Sequence, residues 1–240
     1  RQLLEGRTRF ALGPYRIVDY IARGGMGQVY KGRHEVTERV AAIKVLPREK
    51  STPEAISNFT REMQLQAKLD HPNIVPVYDL GADEHGQLFY AMKQVQGRTL
   101  GELMAERDPK DLSDRSNRAH FIEIFIRACQ TVAAAHNRGV IHRDLKPDNI
   151  MVDDLGVVYV MDWGLAKQLV EDDDGSKSDS QRTRLGAVMG TPAYMSPEQA
   201  KGLEVDRRAD IFSFGVVLYE LIAGQRPFKG DNEPSIINAI

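Results

Sequence analysis

The residues with the clearest capacity for chemistry are Asp144, Lys146, Asn149 and Asp162, which lie close together in the chain. Carboxylate and amide oxygens are the ligands that Mg²⁺ prefers, and a lysine ammonium attracts phosphate. A carboxylate can also accept the proton of a reacting hydroxyl group. The set therefore predicts a site for a magnesium–phosphate complex beside a general base.

A predicted β-hairpin positions these four residues. Two apolar runs, 150–152 and 157–161, have strand composition, and the turn-forming residues 153–156 separate them. A polar loop at 142–149 precedes the first run, and Asp162 follows the second. Because a hairpin brings the start of its first strand next to the end of its second, the polar residues should meet at one edge.

A glycine-rich turn at 23–27 joins two further strand-like runs, 15–21 and 28–33. Glycines allow the backbone to approach a ligand closely and to point N–H groups at phosphate oxygens. A plain hairpin turn is the alternative interpretation. The more informative residue is Lys44, within the apolar run 40–46, because a lysine inside a strand is costly to bury unless it is paired or liganded.

Residues 53–69 have the apolar periodicity of a helix, and Glu62 lies beside its apolar face. It can therefore reach inwards, although a solvated surface glutamate is the alternative.

Composition excludes several other classes of protein. The chain has 240 residues and a net charge of −2, which gives no electrostatic case for binding nucleic acid or an anionic membrane. No apolar run approaches the roughly 20 residues needed to span a bilayer. The single cysteine, Cys129, excludes an internal disulfide and a cysteine-based zinc site, and we expect it to be a buried small apolar residue. These features fit a cytosolic setting.

The motif His-Arg-Asp-Leu-Lys-Pro-Asp-Asn at 142–149, followed by Asp-Trp-Gly at 162–164, resembles the catalytic and metal-binding loops of eukaryotic-type protein kinases. Lys44 and Glu62 precede these loops in the order typical of that family, and Gly-Thr-Pro-Ala-Tyr-Met-Ser-Pro-Glu at 190–198 follows them. The resemblance covers about residues 14–240 and favours the bacterial serine/threonine kinases.

This resemblance implies an α+β, bilobal protein-kinase fold, with ATP bound between the lobes. The small β-rich N-lobe is expected at about 14–95 and the larger helical C-lobe at about 96–240, after a leader segment at 1–13. The chain begins without Met and ends inside an apolar pattern, so we expect an excised fragment that lacks the last helices of the C-lobe.

The implied catalytic residues are Lys44, Glu62, Asp144 and Lys146. Lys44, held by Glu62, would bind the α- and β-phosphates of ATP. Asp144 would orient the substrate hydroxyl and accept its proton, and Lys146 would lie against the γ-phosphate.

The resemblance further implies that Asn149 and Asp162 hold Mg²⁺, with Mn²⁺ as an alternative. The expected ATP-binding residues come from the glycine-rich turn, the strand carrying Lys44, the hinge and the hairpin. They are Ile21, Ala22, Arg23, Gly24, Gly25, Met26, Gly27, Gln28, Val29, Ala42, Lys44, Met92, Lys93, Val95 and Met151.

A charged segment at 171–184 has nothing to bury and is expected to be a mobile loop. Phosphorylation within 176–183, best at Thr183, would order the loop through Arg143, because phosphate and guanidinium pair strongly. Thr191 in the segment that follows is typical of the serine/threonine group.

Several residues depart from the family pattern. Ala22 replaces the first glycine of the turn, and Trp163 replaces the usual phenylalanine. Gln66 stands where an apolar residue is usual, which we expect to loosen the helix carrying Glu62. Glu198 is expected to lose a buried arginine partner from a later helix, at a cost of a few kcal/mol if it stays desolvated.

The expected function is transfer of the ATP γ-phosphate to serine or threonine hydroxyls of protein substrates, with autophosphorylation in signalling. The alternatives are a pseudokinase scaffold and a small-molecule kinase. Similar kinases are often the cytoplasmic part of a larger membrane-anchored protein, and some form homodimers through the N-lobe, although no residue here specifies such a surface.

Overall fold

The computed structural model describes residues 11–23, 27–108, 114–168 and 190–240. The chain divides into two compact units. Unit 1 comprises residues Arg1–Asp70 and Val75–Val95, and unit 2 comprises His71–Ile74 and Gln96–Ile240.

Unit 1 is built on a six-stranded sheet with strand order β1-β2-β3-β4-β6-β5. All neighbouring strands are antiparallel. The strands are β1 (Ala11–Leu12), β2 (Tyr15–Arg23), β3 (Gln28–His34), β4 (Val40–Val45), β5 (Val77–Ala82) and β6 (Leu88–Lys93). The backbone pairing sets the register of β4, where Lys44 lies opposite Val29 on one side and Tyr90 on the other.

Helix α1 (Pro53–Lys68) completes unit 1. Its N-terminus is capped by Thr52, whose side chain accepts a hydrogen bond from the Ala55 N–H, and a proline occupies the first helical turn. Phe59 and Met63 of the helix are buried in a cluster with Tyr90. This apolar packing fixes the face on which Glu62 lies.

Unit 2 is mainly helical, and the strands among its described residues form two small sheets. The helices are α2 (Leu100–Ala105), α3 (Arg115–His136), α4 (Pro197–Ala200), α5 (Arg208–Ala223) and α6 (Glu233–Ala239). The sheets have the orders β10-β9-β7 and β11-β8. Their strands are β7 (Gly97–Thr99), β8 (Val140–Ile141), β9 (Ile150–Asp153), β10 (Val158–Val160) and β11 (Lys167–Gln168).

The long helices of unit 2 pack through apolar and aromatic side chains. The rings of Phe125 on α3 and Phe214 on α5 meet edge to face with centroids 5.5 Å apart. In the part of the chain that the structure describes, no helix has the length and apolar character to cross a membrane.

The predicted hairpin is confirmed as β9 paired antiparallel with β10. The Asp153 side chain shapes its turn by accepting hydrogen bonds from the N–H groups of Leu155 and Val157, at 2.9 and 2.8 Å. Gly156 in the turn has φ = 79°, a conformation that favours glycine.

The expected α+β architecture is confirmed, with a β-rich first unit and a helical second unit. The sequence pattern does not predict β5, because this edge strand is mostly exposed and lacks an apolar period. It also does not predict the first turn of α3, whose residues are polar. Asp114 caps that helix by accepting hydrogen bonds from the N–H groups of Ser116 and Asn117.

Two other expectations concern the leader segment at 1–13 and the burial of Cys129. The expected leader ends in β1, which pairs with β2, while residues 1–10 lie outside the described residues. Cys129 on α3 is only half-buried rather than fully buried, because it lies away from the most apolar face of the helix.

Candidate active site

The expected phosphate-binding turn lies between β2 and β3 of unit 1. Ala22 and Val29 are paired across these strands, and Gly24, Gly25 and Met26 lie outside the described residues. A Cβ atom added to Gly27 would lie 2.6 Å from the carbonyl oxygen of Val45, closer than any real side chain is found. A glycine is therefore required at position 27 by the close approach of β4.

The remaining expected nucleotide residues of unit 1 are mostly on paired strands. Ala42 lies opposite Met92, and Ala41 lies opposite Lys93, which places Met92 and the first expected hinge residue, Lys93, at the end of β6. The Lys93 N–H donates to the carbonyl oxygen of Pro76. Met151 belongs to unit 2, on β9, where it lies opposite Tyr159.

Lys44 and Glu62 form a buried ion pair, as the sequence analysis predicted. Their relative exposures are 9% and 2%, and Lys44 Nζ donates to Glu62 Oε1. The hydroxyl of Tyr90 donates to the same carboxylate oxygen at 2.8 Å. The ammonium group is therefore held in place at the centre of the sheet rather than exposed at its edge.

The expectation that Gln66 loosens α1 is wrong. Its side chain is buried, and Nε2 donates to the carbonyl oxygen of Val75 at 2.8 Å. A buried amide with this partner connects the helix to the backbone that precedes β5, because breaking the bond would leave polar groups unsatisfied.

In unit 2, Asp144, Lys146, Asn149 and Thr191 form one hydrogen-bonded group. Asp144 Oδ1 accepts from the backbone N–H and the hydroxyl of Thr191, at 2.9 and 3.0 Å. Its Oδ2 accepts from Lys146 Nζ at 3.1 Å and from Asn149 Nδ2 at 3.2 Å. Lys146 Nζ also donates to the Thr191 hydroxyl at 2.8 Å. A carboxylate, an ammonium group and a hydroxyl thus lie within hydrogen-bonding distance of one another.

The two expected metal ligands, Asn149 and Asp162, are brought near each other through the backbone. The N–H of Met161, which precedes Asp162, donates to the carbonyl oxygen of Asn149 at 2.8 Å. Asn149 uses its amide nitrogen on Asp144, so its amide oxygen is the acceptor available for a hard cation. An amide and a carboxylate oxygen fit Mg²⁺, which usually keeps waters and phosphate oxygens as its other ligands.

Asp162 adopts the left-handed conformation, with φ = 55°. Such a conformation is uncommon for a residue other than glycine and persists only where the surrounding structure holds it. Trp163, which follows it, is fully buried, with its ring centroid 4.6 Å from that of His142. The larger tryptophan is therefore accommodated inside unit 2. No group of three or more His, Cys, Asp or Glu suited to a metal occurs among the described residues.

A buried aspartate on α5, Asp210, holds the loop that carries Asp144, and the sequence analysis missed it. Asp210 Oδ2 accepts from the His142 N–H and Oδ1 from the Arg143 N–H, both at 2.9 Å. His136 Nε2 lies 2.7 Å from Oδ2. The only available signal was an acidic residue at the start of a strongly apolar helix, where burial of a charge requires partners.

The protonation of this anchor follows from its contacts. Burial alone would raise the pKa of Asp210, but the hydrogen bond with His136 and those from the backbone of His142 and Arg143 hold the pKa below its usual value. Asp210 is therefore an anion in the folded protein at neutral pH.

Arg143, the expected regulatory arginine, has φ = 71°, and its carbonyl oxygen accepts from Gln199 Nε2 at 2.7 Å. The backbone N–H and carbonyl groups of this strained residue are thus hydrogen-bonded to α5 and α4, respectively. Thr183, the expected phosphorylation site, lies outside the described residues. Glu198 is only partly buried and interacts electrostatically with Arg208.

Comparison with known proteins agrees with this geometry. The family model described as "Protein kinase domain" matches residues 15–240. The chain is 39% identical to the serine/threonine-protein kinase pkn3 of Myxococcus xanthus, over 91% of this chain and 39% of that protein. It is 39% identical to the serine/threonine-protein kinase PknB of Mycobacterium leprae, over 92% of this chain and 34% of that protein. It is 36% identical to the serine/threonine-protein kinase PknD of Chlamydia caviae, over 90% of this chain and 25% of that protein.

The chain thus spans about a quarter to two fifths of the length of these relatives. The matched region nevertheless includes every residue of the candidate site, from Lys44 to Thr191. The chain belongs to the protein kinase family.

Proposed function

We propose that this domain is a serine/threonine protein kinase that transfers the γ-phosphoryl group of ATP to protein hydroxyls, with Mg²⁺ as its working metal and Mn²⁺ as an alternative. The observation that carries the proposal is the group formed by Asp144, Lys146 and Thr191. It holds a carboxylate beside an ammonium group and a threonine hydroxyl, the chemical surroundings that a serine or threonine acceptor needs.

Each side chain has a role that its contacts support. Lys44, oriented by Glu62, binds the α- and β-phosphates, and Asn149 and Asp162 hold the metal ion. Asp144 orients the acceptor hydroxyl and takes its proton, while Lys146 offsets negative charge on the transferred group. Bound ATP supplies the phosphoryl group, and the metal ion neutralises the charge that develops on it.

The alternative of a pseudokinase scaffold has no support in this chain. A scaffold has no need of Lys44, Glu62, Asp144, Asn149 and Asp162 together, and all of these residues are present. A small-molecule kinase is disfavoured because the relatives that match nearly the whole chain are named serine/threonine protein kinases.

Protein substrates are the partners that we propose. We further propose that this domain is part of a larger, membrane-anchored protein and that it forms homodimers through the N-lobe. Only the family resemblance supports these two proposals. Peptide mapping by mass spectrometry after incubation with ATP would identify phosphorylated residues, including Thr183.

The decisive experiment compares the wild type with Asp144→Asn in transfer of radiolabelled phosphate to the protein itself and to a generic protein substrate. Loss of the general base should lower the rate by about 10²- to 10⁴-fold. Asp154→Asn, in the exposed hairpin turn, is the matched control and should keep the wild-type rate. Equal incorporation by wild type and Asp144→Asn would overturn the proposal, as would ATP binding by a wild type that transfers no phosphate.

A further inference from the structure

Tyr90 is a buried aromatic residue on β6 with a specific polar contact. It is 1% exposed, and its hydroxyl donates to Glu62 Oε1 at 2.8 Å. Its neighbour across the sheet is Lys44. The phenol and the ammonium group therefore reach the same carboxylate oxygen from adjacent strands.

The Glu62 carboxylate depends on these two donors. Glu62 Oε2 is buried and has no hydrogen-bond partner among the described residues. A buried carboxylate needs compensating hydrogen bonds, and those to a charged group are about twice as strong as neutral ones. The hydroxyl of Tyr90 is therefore one of the two donors that hold the Glu62 carboxylate directed at β4.

The two donors differ in rigidity. The lysine side chain has many rotamers that must be restricted, whereas a tyrosine hydroxyl is carried by a rigid ring. The Tyr90 ring also packs against Phe59 on α1, with centroids 5.2 Å apart. Tyr90 therefore defines the position of the carboxylate to which Lys44 must adjust.

Gln66 supports the same helix one turn further on. Its relative exposure is 5%, and its side-chain amide donates to the carbonyl oxygen of Val75, which joins the helix to that backbone segment. Because Glu62 and Gln66 are four residues apart, they lie on one face of α1. Rotation of the helix that moved Glu62 away from Lys44 would also break this bond.

We propose that Tyr90 and Gln66 are positioning residues that hold Glu62 against Lys44, an inference that rests on the kinase function proposed above. Tyr90 acts on the carboxylate directly, and Gln66 acts by fixing the rotation of α1. The consequence is a Lys44 ammonium group already placed for phosphate before ATP binds, which lowers the cost of ordering it on binding.

The test uses Tyr90→Phe, which removes only the hydroxyl, and Gln66→Leu, which keeps the approximate size of the side chain. The controls are Tyr78→Phe on β5 and Gln64→Leu on the exposed face of α1. For each protein we would measure kcat, the KM for ATP, the affinity for ATP with Mg²⁺ by calorimetry, and the melting temperature.

Tyr90→Phe should raise the KM for ATP and weaken ATP affinity by about tenfold, the effect of losing one hydrogen bond to a charged group. Gln66→Leu should have a smaller effect in the same direction, about threefold, because it acts indirectly. A role in stability alone would lower the amount of active enzyme, and thus the apparent kcat, without changing the KM for ATP.

A double-mutant cycle tests whether the effect of Tyr90→Phe on ATP affinity depends on Glu62. In a Glu62→Gln background, Tyr90→Phe should change ATP affinity by less than about twofold, because its effect passes through Glu62. The inference is overturned if wild type and Tyr90→Phe share one KM and one affinity for ATP, or if the two substitutions are additive. A wild type that binds ATP without transferring phosphate would instead overturn the proposed function.

Discussion

The two charged regions of this protein are held in different ways. In unit 1, Lys44 and Glu62 lie on a strand and a helix whose placement follows from backbone pairing and apolar packing. In unit 2, Asp144 and Asp162 lie on irregular segments. Asp162 and Arg143, which precedes Asp144, both have positive φ angles. Buried polar side chains from other elements fix those segments.

This difference indicates which kind of substitution each region should be sensitive to. Loss of one polar contact, such as that of Gln66, shifts a regular element only slightly, because the remaining backbone hydrogen bonds and apolar contacts preserve most of its position. An irregular loop lacks a regular series of backbone hydrogen bonds, so removal of the side chain that anchors it leaves backbone N–H groups without partners. We therefore expect apolar truncations to affect unit 1 mainly through stability, and polar substitutions in unit 2 to affect the geometry of the loop.

The largest loss of stability is expected for Phe89→Ala in the core of unit 1. Phe89 is fully buried on β6 and packs edge to face against Tyr15. Removal of a buried phenyl ring should lower the free energy of unfolding by about 3–5 kcal/mol, measured by urea denaturation. The folded fraction should keep its KM for ATP.

The control for this truncation is Leu155→Ala at an exposed turn, where the change should stay within about 0.5 kcal/mol. A loss below about 1 kcal/mol for Phe89→Ala would show that apolar packing does not hold unit 1 together.

The next largest effect is expected for Asp210→Asn, which replaces one of the two acceptor oxygens by an NH₂ group that faces a backbone N–H donor. Breaking this buried anchor should cost about 3 kcal/mol. Unlike Phe89→Ala, it should also lower kcat at least about tenfold in the folded enzyme, because a shift of the loop misplaces Asp144. Phosphate transfer normalised to the folded fraction would measure this. An unchanged kcat would remove the contrast between the two regions.

The pH dependence of stability sharpens the same contrast. Because the folded-state pKa of Asp210 lies below its unfolded value, its contribution is present above the unfolded pKa of about 3.9 and is lost as the pH falls through the folded pKa. The difference in urea stability between wild type and Asp210→Asn should therefore shrink as the pH falls below about 4. A difference that did not change with pH would contradict the role of the ionised carboxylate.

The smallest effect is expected at Cys129 on α3, a regular element of unit 2. Burial raises the pKa of its thiol to about 11. At pH 8 its thiolate fraction should be lower than that of a free thiol by a factor on the order of 10², so alkylation with iodoacetamide should be correspondingly slow. Urea-unfolded protein is the control and should react at the ordinary rate. Fast alkylation of the folded protein would mean that α3 does not shelter this position.

Much of the fold and of the candidate site could be predicted from local patterns. The hairpin at 150–160, the strand carrying Lys44 and the helix carrying Glu62 each have a periodicity that belongs to one element. The spacing of Asp144, Asn149 and Asp162 around that hairpin predicted their proximity for the same reason. Short edge strands and capped polar first turns, such as β5 and the start of α3, were missed because their residues show no apolar period.

The sequence by itself therefore determined which chemical groups the site contains and which element carries each of them. Only the tertiary structure decided what holds those groups in place. Asp210 reaches a loop 67 positions earlier in the chain, and Tyr90 reaches a glutamate 28 positions earlier. Local periodicity records which residues share an element, whereas the partner of a buried polar group is decided by the packing of distant segments, where an unpaired donor or acceptor is too costly to leave.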